Sequence, residues 1–159
     1  MEAEKLVETL REHGLVISTA ESCTGGLLAK SITDIPGSSD VFELGMVTYS
    51  NRIKTEFLGV PEKVLETVGA VSKETAEAMA AGIVKASGAD IGVGITGIAG
   101  PGGGSEEKPV GTVWVSIFYK AKSEKMTECL HLSGNREAVR EQTVKTVISR
   151  LISCINENY

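Results

Sequence analysis

Apolar side chains recur at helical spacing in three long stretches and gather into short, unbroken runs between them. Residues 2–13 carry Leu6, Val7 and Leu10 on one face, with Gly14 as a stop. Residues 72–87 place Ala76, Met79, Ala80, Ile83 and Val84 inward, between a Ser72 cap and Gly88. Residues 135–157 carry the longest stripe: Val144, Val147, Ile148, Leu151, Ile152 and Ile155. Shorter helices are predicted at 25–33, closed by Pro36-Gly37, at 51–58 with Asn51 as cap, and at 61–68 with Pro61 in the first position. The unbroken runs read as strands over 15–19, 42–50 and 91–96. Residues 111–119 alternate Val113, Val115 and Ile117 with Trp114, Ser116 and Phe118, and 124–132 returns antiparallel after a turn at 120–123. Alternating strands and helices followed by a late hairpin predict an α/β protein. The expected architecture is a three-layer α/β/α sandwich with a mixed, mostly parallel β-sheet.

Composition narrows the function classes. A length of 159 residues predicts one domain, 1–159, with no linker or internal repeat. A net charge of −5 and a pI near 5.1 argue against nucleic acid or an anionic membrane as partner. No apolar run approaches the roughly 20 residues of a transmembrane helix, and the acidic start does not read as a secretory signal. Three scattered cysteines, Cys23, Cys129 and Cys154, suggest reduced thiols in a cytoplasmic protein rather than disulfides or zinc. No metal or cofactor is expected.

Four segments carry candidate chemistry. Thr19 to Gly26 (TAESCTGG) joins a strand to a helix. Ser22 there is either a helix cap or an exposed nucleophile, and Thr24, Gly25 and Gly26 offer backbone N–H groups at a helix start, where an anion is favoured. Cys23 is an alternative nucleophile, or a buried small side chain. In Gly45 to Lys54 (GMVTYSNRIK), Tyr49 and Lys54 can share one edge, and a desolvated lysine can act as a base; the plain alternative is a solvated lysine. Thr96 opens a long loop containing Gly97, Gly100, Gly102 and Gly103, whose amides can cradle a phosphate or a ribose. Arg136 and Arg140 lie one turn apart at the start of the last helix, which suits a phosphate or two solvated ion pairs.

In this order, TAESCTGG, GMVTYSNRIK, GITGIAGPGGGSEEKPVGTVW and SGNREAVR resemble the C-terminal domain family of CinA proteins over residues 4–155. The family's enzymatic members are nicotinamide-nucleotide amidases. The resemblance implies a three-layer α/β/α fold and hydrolysis of the carboxamide of nicotinamide mononucleotide, giving nicotinate mononucleotide and ammonia for pyridine nucleotide salvage. It implies a serine–lysine pair at Ser22 and Lys54, a pocket tyrosine at Tyr49, a strand-end hydroxyl at Thr96 and a phosphate-side arginine at Arg136 or Arg140. Larger members carry a further N-terminal domain, so this chain reads as the stand-alone form. The expected partner is the small substrate alone, on a cytoplasmic homo-oligomer, a dimer for preference.

The residues agree with that chemistry. Only His13 and His131 are present, neither beside a motif, so a serine–histidine triad is hard to assemble. A serine–lysine pair needs no histidine, provided burial and a cationic neighbour strip Lys54 of its proton. Backbone amides near Thr24 and Gly25 are placed to hold an oxyanion. The competing reading is a non-catalytic nucleotide-binding regulatory module linked to competence or DNA damage.

Overall fold

The computed structural model describes residues 1–159. Helix α1 (Glu2–Glu12) leads into β1 (Ile17–Glu21) and α2 (Leu27–Thr33); β2 (Phe42–Val47) precedes α3 (Asn51–Leu58), α4 (Glu62–Thr67) and α5 (Lys73–Ser87); β3 (Ile91–Gly97), β4 (Thr112–Tyr119) and β5 (Glu124–His131) lead to α6 (Arg136–Asn158). The five strands form one sheet in the order β2-β1-β3-β4-β5. β1 pairs in parallel with β2 and β3, while β3–β4 and β4–β5 are antiparallel. The sheet is therefore mixed, but with two pairings of each kind rather than mostly parallel. The reason lies in the connections: no helix crosses back between β3 and β4 or between β4 and β5, so each strand must return beside its predecessor.

Helices cover both faces. Ile17, Ile91, Val93, Ile95, Val113 and Ile117 pack with Leu6 and Leu10 of α1, Leu28 and Ile32 of α2, and Val147, Leu151 and Ile155 of α6 in one core cluster. Each such side chain contributes roughly 1.5–3 kcal/mol by leaving water. On the other face a smaller cluster joins Ala20 to Leu58 and Val60, and to Met79 and Ile83 of α5. α5 sits directly on β3. A Cβ at Gly92 would fall 2.3 Å from the Ala80 carbonyl oxygen, and one at Gly94 2.2 Å from that of Ala76. The glycine-rich strand is thus a close-approach surface.

Three expected boundaries moved. β1 runs over Ile17–Glu21 instead of 15–19, and all five of its residues, polar ones included, are buried. It has a strand on either side and a helix layer on each face, so its polar residues are held inside the sheet. α2 starts at Leu27 rather than at residue 25, because Gly25 and Gly26 adopt φ of 59° and 98°, left-handed values outside the right-handed helical region. β2 stops at Val47, and Ser50 rather than Asn51 caps α3, its side chain accepting from the Ile53 N–H.

Candidate active site

The parallel strands β2, β1 and β3 end at one edge of the sheet, where ligand sites form in open α/β sheets. Ser22 follows β1 directly, its N–H donating to the Ile95 carbonyl on β3 at 3.0 Å. It lines a cavity of about 240 Å³ with Cys23, Tyr49, Gly97, Ile98, Ala99, Gly100, Gly102, Gly103 and Arg136.

Lys54 enters from beneath. It is 2% exposed, yet it lies on α3, whose opposite face is solvated. Its Nζ donates to the Thr48 carbonyl at 2.7 Å and lies 3.0 Å from Ser22 Oγ. Burial lowers its pKa from the ordinary lysine value, because the charged form loses its hydration; neither arginine enters as a cause. The solvated-lysine alternative is thereby excluded.

The turn after Ser22 is held from behind. Glu21, 1% exposed, accepts from Thr24 Oγ1 at 2.6 Å, from the Leu28 N–H at 2.9 Å and from the Ala29 N–H at 3.1 Å. Arg140 donates to the Thr24 carbonyl at 3.1 Å. The Gly25 N–H donates to the Ser22 carbonyl at 3.0 Å. The first turn of α2 is therefore capped by a carboxylate, and of the Thr24, Gly25 and Gly26 amides that of Gly25 is taken up by Ser22. The main-chain N–H groups of Cys23, Thr24 and Gly26 make no backbone–backbone hydrogen bond.

At the mouth, Arg136 donates to the Gly100 carbonyl at 2.9 Å and to Tyr49 Oη at 2.8 Å, clasping the glycine loop to the β2–α3 connection. A second cavity of about 550 Å³ opens beside the first, and Ala99 and Arg136 line both; Arg140 lines only the second. Cys23 is buried, and desolvation pushes its thiol up to about 11, so it holds no thiolate at neutral pH. No His, Cys, Asp and Glu side chains gather into a group able to hold a metal ion.

The serine, the buried lysine, the glycine loop and the arginine thus meet around one cavity. The profile of the CinA C-terminal domain matches residues 1–155. The chain belongs to the CinA C-terminal domain family. Within that family it is 50% identical over 149 residues to the nicotinamide-nucleotide amidohydrolase PncC of Escherichia coli K12, covering 94% of this chain and 90% of that one. It is 51% identical over 150 residues to PncC of Pseudomonas putida, covering 94% and 92%. A CinA-like protein of Akkermansia muciniphila is 50% identical over 143 residues, 90% of this chain but 34% of that protein. The chain thus spans about a third of the length of such longer CinA relatives. The crystal structure of the competence/damage inducible protein CihA from Agrobacterium tumefaciens superposes with a TM-score of 0.91 at 42% identity, covering 98% of this chain and 96% of that one.

Among the residues expected at a CinA-family site, Ser22, Tyr49, Gly97, Gly100, Gly102, Gly103 and Arg136 line the small cavity, and Lys54 reaches it through Ser22. Thr96 does not line it. Its side chain faces α5 and donates to the Ala70 carbonyl at 2.7 Å, tying down the segment before that helix. Thr24, Gly25 and Gly26 shape the turn rather than the wall. Tyr49 bonds to Arg136 rather than to Ser22 or Lys54. Two participants escaped the sequence reading: the Thr48 carbonyl, which no sequence signal marks, and Glu21, an acid at the end of an apolar strand.

Proposed function

We propose that this chain hydrolyses the carboxamide of nicotinamide mononucleotide to nicotinate mononucleotide and ammonia, with Ser22 as nucleophile and Lys54 as general base. The observation that carries this reading is the buried Lys54 Nζ, 3.0 Å from Ser22 Oγ at the wall of a cavity. The amidohydrolase names of relatives aligned over nearly their whole length support the substrate. A module that only bound nucleotides would gain nothing from a desolvated lysine against a serine.

In this mechanism neutral Lys54 takes the Ser22 proton as Oγ attacks the amide carbon. The main-chain N–H of Cys23, a residue that lines the cavity and whose N–H makes no backbone hydrogen bond, is offered to the oxyanion. Collapse breaks the C–N bond, and Lys54 returns its proton to the departing ammonia. Water, deprotonated by Lys54, then cleaves the acyl ester and frees Ser22. The pyridine ring takes the small cavity, and the ribose phosphate extends into the larger one, toward the Arg136 guanidinium that borders both. Free thiols at Cys23, Cys129 and Cys154 suit a reducing cytoplasm and a role in pyridine nucleotide salvage.

Ser22→Ala tests the reading. Ammonia release from nicotinamide mononucleotide should vanish while calorimetric binding of the nucleotide persists. Turnover by Ser22→Ala at the wild-type rate would remove Ser22 from the chemistry.

A further inference from the structure

We infer that Glu21 is the positioning residue of this site, fixing Ser22 through its side chain and the acceptor of Lys54 through its main chain. The inference rests on the serine–lysine reading above. Glu21 touches neither the cavity nor Lys54. Its carboxylate faces away from the site, toward α2.

The side-chain arm begins with burial. A carboxylate at 1% exposure must be fully hydrogen-bonded to be tolerated, and three donors converge on it. The Thr24 hydroxyl, only three residues on, closes a ring around Ser22 and Cys23. The Leu28 and Ala29 amides tie that ring to the first turn of α2. Ser22 thus sits in a loop whose two ends are clamped to one carboxylate.

The main-chain arm runs the other way. The Glu21 carbonyl accepts from the Thr48 N–H at 2.9 Å, extending the β1–β2 pairing one step beyond Val47. The carbonyl of that same Thr48 accepts from Lys54 Nζ. The nucleophile and its base therefore take their positions from opposite sides of one residue. A displacement near 1 Å in such a pair can cost about 100-fold in rate.

The test compares Glu21→Ala, Glu21→Gln and Thr24→Val in steady-state ammonia release, with Ser22→Ala as control and circular dichroism as the check on folding. A second readout is the rate at which a small sulfonyl fluoride labels Ser22, which does not depend on nucleotide binding. Positioning predicts that kcat falls about 100-fold in Glu21→Ala with KM held within about threefold, and that labelling slows in step. Glu21→Gln, which keeps an acceptor for Thr24 and Leu28 but not for Ala29, should recover part of kcat. Thr24→Val removes one donor and keeps the shape, so it decides the matter if Glu21→Ala does not fold; it should lower kcat and labelling together. Folded variants with wild-type kcat and labelling, or a loss confined to KM, would overturn the role of Glu21. Turnover by Ser22→Ala would instead overturn the nucleophile assignment, whatever the Glu21 variants do.

Discussion

Replacing Lys54 separates a general base from a mere positive charge. In Lys54→Met most of the buried stem is kept, while the amine at 3.0 Å from Ser22 Oγ and its donation to the Thr48 carbonyl are lost. An orphaned buried carbonyl costs about 1–3 kcal/mol, and removing an amine that is costly to bury when charged offsets part of that. The variant should therefore fold. Its kcat should drop by about 10²–10⁴, the usual contribution of a positioned base. Lys54→Arg keeps the charge, but a guanidinium stays protonated and cannot accept the serine proton, so it should be equally inactive. The assay is ammonia release from nicotinamide mononucleotide across pH, with folding checked by circular dichroism. In the wild type, kcat/KM should rise with pH through an apparent pKa below the ordinary lysine value of about 10.4, since burial disfavours the ammonium. A profile flat between about pH 6 and pH 9, together with an active Lys54→Arg enzyme, would refute the general-base role.

Because the pKa of Lys54 is lowered in the folded state, the unfolded chain binds the extra proton between that lowered value and about 10.4, so stability should rise with pH through this window. Urea midpoints of wild type against Lys54→Met should diverge there, and parallel curves would contradict the burial argument. Arg136→Met should raise KM about 10–100-fold, the worth of a charge-assisted bond, whereas Arg140→Met should act mainly on kcat by releasing the Thr24 carbonyl; the reverse pattern would exchange their roles. Cys23→Ala should keep kcat within about threefold, because a thiol held near 11 supplies no nucleophile at neutral pH, and a collapse to the Ser22→Ala level would show otherwise. Gly25→Ala should lose about 1–2 kcal/mol in urea unfolding, since φ is 59° and a Cβ there would lie 3.0 Å from Arg140 Nη2; an unchanged midpoint would mean that the turn can relax.

What the sequence disclosed and what it withheld divide along a physical line. Helical periodicity located α5 and α6 within a residue or two, because each presents an apolar face to a sheet and carries a side-chain cap, Ser72 or Asn135. Ser22 and Lys54 were singled out by the resemblance of whole motifs, which left Arg136 and Arg140 undecided; Ser22, Lys54 and Arg136 meet at one cavity. The end of β1 was not, since a central strand buries polar and apolar residues alike, and periodicity is silent where both faces are covered. Thr96 was read as a ligand for lack of any view of the facing helix layer, where the Ala70 carbonyl claims its hydroxyl. The cap on α2 went unread for a similar reason: the acceptor of the Leu28 and Ala29 amides is a side chain that precedes the helix by six residues in the sequence, from Glu21 to Leu27.

The mixed sheet explains why these groups converge at all. Parallel pairing sends the C-terminal ends of β2, β1 and β3 to one edge, delivering Thr48, Ser22 and Gly97 side by side. The two antiparallel steps then matter. β4 leaves that edge and β5 comes back to it, so α6 begins there, and its first residue is Arg136. Lys54 arrives by a different route, on the first turn of α3, after the Ser50 cap. That placement acts on its protonation in the same direction as burial does. The positive end of the helix dipole disfavours a cation there, and its long stem reaches back past the cap to the Thr48 carbonyl. A lysine one turn further along α3 would lie beyond reach of Ser22 and of that dipole. Position four of α3 is thus the place where one side chain can be buried against Ser22 with its pKa lowered.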